Sequence, residues 1–370
     1  MKILWITNVP SPYRVDFFNE FGKLCDLTVI FERKTSSERD KSWENFKIDN
    51  FKAIFLGGIK IGVDSSLDLK VMSIVNKIKY DKIVISSYSS PTEMLLAMYL
   101  IKKKKKIIIE TDGGFPKTNK NIKEIIKKHI ISHAEKCFST SRESDKYYLH
   151  YGAKSENIIR YPFTSLFEKD IIKQPISEKE KNVLREKYNL NENKIIVSVG
   201  QFIYRKGFDV LIEAASKINY DNFGIYIIGG SVTEEYKALI SKYNLNNIHF
   251  INFLPKTEIY EYLKVSDIFV LPTREDIWGL VINEAMANGC PIITTNKCIA
   301  GLELVENNVN GYIVNVDDVN ELSQKISELL NDDSLVKMMK ENSIKKIYDY
   351  TFENMAKEHI KNIEVSKEKK

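Results

Sequence analysis

The chain is poor in cysteine. Its four cysteines, Cys25, Cys137, Cys290 and Cys298, form no CxxC pair and have no histidine cluster beside them. That spacing speaks against a disulfide framework and a thiolate metal site, and fits a reducing cytosol. Long hydrophobic runs are also missing. The longest, Met94–Ile101, falls far short of the ~20 residues of a spanning helix, so no membrane span is expected. The opening MKILWITNV turns polar too soon for a signal peptide. The five histidines are scattered. His129 and His133 stand four apart but belong to no HExxH, and there is no Asp-x-Asp of the kind many metal–diphosphate sites use. No metal and no cofactor are expected. GxSxG, Walker A and the kinase set are absent as well, which removes those hydrolase and phosphoryl-transfer chemistries.

What is present is ordinary for a soluble globular protein: 43% hydrophobic and 28% charged residues over 370, enough for two domains. The net charge of +5 is uneven. Residues 1–170 hold about 30 Lys and Arg against about 21 Asp and Glu, roughly +9, which leaves the remainder near −4. Either this is solvated lysine surface, or it attracts anionic lipid head groups or a phosphate-bearing acceptor. No nucleic-acid partner is expected.

Apolar strands alternate with helical periods from the start. Lys2–Asn8 and Leu27–Phe31 read as strands with a helix over Val15–Leu24 between them. Further strands are expected at 53–56, 82–86, 106–110 and 136–139, with helices near 67–78, 92–103, 120–134 and 141–151. Thr92, after Pro91, reads as a helix cap. Lys102–Lys106 closes a helix, either as a charged terminus at the sheet edge or as a membrane-contact patch. Ser165–Asn193 reads as a polar linker with an early helix near Glu178–Tyr188. The pattern then restarts, with strands at 195–199, 224–228, 249–251, 267–271, 291–294 and 311–314. Alternation of this kind means parallel sheets with helices on both faces. The tail 351–363 reads as an amphipathic helix and Ser366–Lys370 as frayed.

Ligands of such sheets bind at the carboxyl ends of strands. Five places there carry chemistry. Tyr13 and Arg14 follow the first strand, where no glycine fingerprint occurs, so a dinucleotide site is disfavoured. Glu110 and Asp112 precede Gly113-Gly114, either as an acceptor-site rim or as a plain Asp-Gly turn. Arg205 and Lys206 beside Gly207 can neutralise a diphosphate. Gly229 and Gly230 close a strand, admitting a nucleotide or simply turning. The stretch LPTREDIWGLVINE (Leu271–Glu284) sets Asp276 and Glu284 on either side of Gly279, where a helix opens whose N-terminus suits a phosphate.

Three blocks, GQFIYRKGFDVLIEAA (200–215), VSDIFVLPTREDIWGLVINEAMANGCPIITT (265–295) and VENNVNGYIV (305–314), resemble retaining glycosyltransferases of family GT4. The resemblance implies an α/β, GT-B architecture: two Rossmann-like doubly wound domains facing across a cleft. The expected division is an acceptor-binding domain over 1–170, a nucleotide-sugar-binding domain over 171–346, and a C-terminal helix over 347–370 returning to the first. It implies that Lys206 binds the donor diphosphate, Glu284 the donor ribose and Asp276 the donor sugar. Trp278, Gly279, Leu280 and Val281 match the turn whose amides approach the donor, with Gly207 and Gly229 beside it. Tyr13, Arg14, Glu110 and Asp112 are the candidate acceptor contacts. Three positions depart from the family: Asp276 replaces a glutamate, Gln201 stands where an arginine is usual, and PSPYR replaces a glycine-rich loop. Arg205 is the residue placed to supply the missing charge.

The implied reaction is metal-independent, retaining transfer from a nucleotide-diphosphate sugar to a glycan or lipid-linked acceptor. It would take place in the cytoplasm at the inner face of the cell membrane, in contact with anionic lipid, during surface polysaccharide assembly. The alternatives are a non-catalytic GT-B partner subunit and another sugar-nucleotide enzyme such as an epimerase.

Overall fold

The computed structural model describes residues 1–35, 46–61, 65–86, 88–116 and 121–364. The chain divides into two units, Met1–Thr164 with Tyr350–Lys370, and Ser165–Asp349. The expected divisions stood at 170/171 and 346/347.

The first unit runs β1 (Lys2–Thr7), α1 (Pro12–Gly22), β2 (Asp26–Phe31), β3 (Lys52–Phe55), β4 (Ile59–Lys60), β5 (Ser66–Leu67), α2 (Lys70–Lys77), β6 (Lys82–Ile85), α3 (Pro91–Lys102), β7 (Ile108–Glu110), α4 (Ile122–Ser132), β8 (Lys136–Ser139), α5 (Arg142–His150) and β9 (Ile158–Arg160). Seven strands form one parallel sheet in the order β3-β2-β1-β6-β7-β8-β9. Strand order reverses between β1 and β6, so the loops leaving those strands diverge and open a crevice at their carboxyl ends. Buried on both faces, the strands read as apolar runs such as Ile3–Ile6.

The second unit continues with α6 (Glu178–Tyr188), β10 (Lys194–Val199), α7 (Phe208–Ala215), β11 (Phe223–Ile228), α8 (Glu234–Tyr243), β12 (Ile248–Ile251), α9 (Lys256–Val265), β13 (Ile268–Leu271), α10 (Leu280–Ala287), β14 (Ile292–Thr295), α11 (Ile299–Leu304), β15 (Gly311–Val314), α12 (Val319–Leu330) and α13 (Asp333–Ile347). Its six strands are parallel in the order β12-β11-β10-β13-β14-β15, with the reversal between β10 and β13. The chain then returns to the first unit as α14 (Phe352–Glu364), which packs on α1. There His359 stacks on Phe138 at 4.4 Å between ring centroids and meets Phe17 at 5.0 Å.

Several elements differ from expectation. Ser165–Asn193 belongs to the second unit, and its helix is fixed by a capping box in which Ser177 and Glu180 satisfy each other's backbone amides. The β4–β5 hairpin, β9 and α11 are too short to show a period, and four lysines mask the apolar face of α13. Ser90, not Thr92, stands at the N-cap position of α3, with no side-chain bond to the helix and Pro91 in the first turn; the Thr92 hydroxyl donates instead to the Ser66 carbonyl at 2.6 Å. The expected helix start at Lys120 and the frayed Ser366–Lys370 lie outside the described residues.

Candidate functional site

Neighbouring strands β10 and β13 send their loops to the same end of the second sheet. The two loops are stapled together. The Arg205 carbonyl accepts from the Thr273 hydroxyl at 2.9 Å and the Arg274 amide at 2.8 Å. The Arg274 guanidinium lies over the Tyr204 ring at 3.9 Å and donates to the Tyr204 carbonyl at 2.8 Å and to Asp209 at 2.6 and 2.9 Å. Gly207 is required at the crossing: its φ is +69°, and a Cβ there would stand 2.1 Å from the Pro272 carbonyl oxygen.

This staple brings together charges 70 residues apart. Lys206 Nζ is 2.6 Å from Asp276 Oδ2, and Arg205 Nη1 is 3.2 Å from Oδ1 and 2.7 Å from the Glu275 carbonyl. Asp276 is held from behind by its amide on the Lys297 carbonyl at 2.9 Å and by the Ile299 amide on its own carbonyl at 3.1 Å. Past it, Gly279 (φ +103°) caps α10, and the amides of Gly279, Leu280 and Val281 have no partner among the described residues. Two cations and a helix N-terminus thus converge on one point, with a single carboxylate between the cations.

The remaining candidates on this unit sort differently. Trp278 is 2% exposed and its indole donates inward to Asn283 at 2.8 Å, so its side chain is part of the core. Gly229 is needed for packing, since a Cβ would lie 2.0 Å from the Gly200 carbonyl oxygen. Glu284, on the second turn of α10, accepts from the Ser165 hydroxyl at 3.0 Å. Burial raises its pKa, against Lys256 and Ser165, which favour the ionised form. Lys256 in turn donates to the Ser165 carbonyl at 2.8 Å and to Asp170 at 3.4 Å. Ser165, Lys256 and Arg274 carried no sequence signal, because each is defined only by a distant partner.

A carboxylate whose burial works against ionisation destabilises the fold at neutral pH. Glu284→Gln is therefore expected to raise Tm by roughly 2–4 °C at pH 7, on the order of 1 kcal/mol. The gain should build as pH rises above the unfolded value of about 4.3 and vanish below it. Thermal melts from pH 4 to 8 check this; a lower Tm at pH 7 would count against it.

In the first unit, Glu110 is a correction. It is fully buried, and its oxygens accept from Arg14 at 2.8 and 3.0 Å, Ser86 at 2.8 Å and Tyr161 at 2.9 Å, with His359 Nε2 at 3.6 Å. Burial alone would raise its pKa, but Arg14, then His359 and Ser86, hold it down at about 2. Both Glu110 oxygens are thus buried and engaged within the unit, so neither is presented to a hydroxyl from outside. The same holds for Arg14, which is 4% exposed and bound to both Glu110 and Asp112. Tyr13 and Asp112 stay partly exposed, joined by a hydrogen bond of 2.6 Å.

The whole chain superposes on solved structures, among them a glycosyltransferase of Rickettsia africae with a TM-score of 0.79 and 19% identity over 100% of this chain and 99% of that one. HepE from Anabaena, solved in complex with UDP, matches with a TM-score of 0.79 and 16% identity over 99% of this chain and 100% of that one. The fold is GT-B. Residues 180–346, a little under half of the chain, match the model of the family described as glycosyl transferases group 1. An uncharacterized glycosyltransferase of Haemophilus influenzae is 32% identical over 45% of this chain and 48% of its own length. The capsular polysaccharide biosynthesis glycosyltransferase CapM of Staphylococcus aureus is 32% identical over 45% of each chain. In both cases the match spans about half of the relative.

Proposed function

We propose that the protein is a metal-independent, retaining hexosyltransferase of the GT4 type. It moves a sugar from a nucleotide-diphosphate donor to a glycan or lipid-linked acceptor in surface polysaccharide assembly. The observation that carries the reading is the convergence of Lys206, Arg205 and the open end of α10 on one point. Charge on a departing diphosphate is best stabilised by such fixed donors. In this reading the diphosphate displaces Asp276 from the two cations, and the freed carboxylate turns to the donor sugar. Glu284 accepts from the ribose. The acceptor hydroxyl attacks on the face the diphosphate leaves, and the leaving phosphate oxygen takes its proton.

Peripheral contact with an anionic membrane at the inner face of the cell membrane belongs to the same proposal. Its support is the basic N-terminal half and the surface of α4, where Ile122 and Ile125 are 76% and 66% exposed beside Lys123 and Lys128. No helix among the described residues is long and apolar enough to cross a membrane.

The test is a panel of UDP-, GDP- and TDP-sugars incubated with lipid-linked glycan acceptors. The expected result is one donor that gives a new glycosidic bond of retained configuration, without added metal and in the presence of chelator. A product with inverted configuration, or epimerised donor with no new bond, would overturn the assignment.

A further inference from the structure

The second unit holds a polar atom that the foregoing leaves without a task. The Tyr260 hydroxyl, on α9, is buried and has no hydrogen-bond partner among the described residues. Leaving a buried hydroxyl unsatisfied is costly, and such groups in folded proteins are usually completed by a ligand or water. Its surroundings say what kind of group would complete it. Helices α9 and α10 pack together, and the Lys256 ammonium that lies 5.3 Å from the Tyr260 ring donates to the carbonyl of Ser165, whose hydroxyl holds Glu284. Burial, then the charges of Glu284 and Asp170, raise its pKa, so it is a donor at every working pH. The Lys256 ammonium also lies over the face of the ring, a favourable cation–π placement.

We propose that Tyr260 is a second ribose-recognition group beside Glu284, donating its proton to a ribose hydroxyl oxygen of the nucleotide. This rests on the donor reading given above. The chemistry is complementary. A ribose hydroxyl that donates to the Glu284 carboxylate keeps two lone pairs, and a neutral phenol is the group that uses one of them. Glu284 alone would accept equally from other hydroxylated ligands; a carboxylate with a phenol next to it selects a group that donates and accepts at once. Tyr260 is then a specificity-determining residue for ribonucleotide over deoxyribonucleotide donors.

The experiment is calorimetric titration of the full chain, wild type and Tyr260→Phe, with UDP, GDP and their 2′-deoxy and 3′-deoxy forms, and with TDP. For whichever ribonucleotide binds wild type, Tyr260→Phe should weaken binding about tenfold. It should leave one of the two deoxy forms unaffected, so that the preference for ribose over that form collapses. Tm should hold or rise, because the hydroxyl removed has no partner. Equal weakening of ribo and both deoxy forms, or no weakening, overturns the proposal while leaving the donor reading intact. A Tm lowered by several degrees also overturns it, since it assigns the hydroxyl to the fold. Binding of TDP but of neither UDP nor GDP overturns this proposal alone, and binding of none of the three removes the donor reading and this one with it.

Discussion

Replacing Lys206 by alanine is expected to lower turnover by about 10²–10³-fold, with the fold intact. The size follows from where the amine sits. Its side chain is only 12% exposed, its stem lies along Gly200, and its charge is fixed at 2.6 Å from Asp276. A fixed, partly desolvated cation needs no reorganisation when a diphosphate begins to carry charge, which is why such groups dominate rate enhancement. Arg205 cannot stand in fully, being 44% exposed and committed to the Glu275 carbonyl. Stability should change little, because Asp276 keeps Arg205 and its two backbone bonds. Steady-state kinetics with the identified donor, beside a thermal melt, measure both halves. Turnover within threefold of wild type would remove Lys206 from the chemistry. Lys206→Met separates the loss of charge from the loss of the stem, and should be as impaired as the alanine variant.

The elements of this site were readable one at a time. A strand, a proline, a glycine and a helix are written in order from Leu271 to Glu284, and Lys206 is written beside Gly207. What the sequence cannot display is adjacency. Asp276 meets Lys206 because β10 and β13 are neighbours at the point where strand order reverses, and that order is a property of the closed sheet. Asp276 is one methylene shorter than the glutamate it replaces in the resemblance. In the structure its two oxygens are taken by two cations.

Glu110 went the other way. A carboxylate before two glycines at a strand end has the local look of a ligand contact. Its burial is decided by Arg14, 96 residues earlier, and by His359 on a helix that returns from the far end of the chain. Neither partner is visible in the local pattern. Ser165 was lost to the same cause: read as the first residue of a polar linker, it is the group that holds Glu284.

The Glu110 cluster gives the largest expected loss of stability. Truncating Arg14 to alanine leaves a carboxylate buried with no arginine to answer it, which costs about 3–5 kcal/mol. In a unit of this size that is a fall of roughly 6–20 °C in Tm. The pH dependence has a definite sign. In the wild type the folded pKa of Glu110, at about 2, lies below the unfolded value. Its contribution is therefore full above about pH 4.3 and is lost as pH falls toward 2. Without Arg14, burial favours the protonated carboxyl, so the penalty in the variant fades over the acid range. The gap between wild type and variant should narrow from pH 7 to pH 3. Circular-dichroism melts at the two pH values measure it, and a Tm within 2 °C of wild type at pH 7 would contradict the cluster's role. Arg14→Met with Glu110→Leu removes both charges together and should recover most of the loss, because the cost lies in the unanswered charge and not in the missing bond. If that double variant folds and also keeps its activity, Glu110 is a brace between β1, β6 and β7, through Ser86 and on to Trp5.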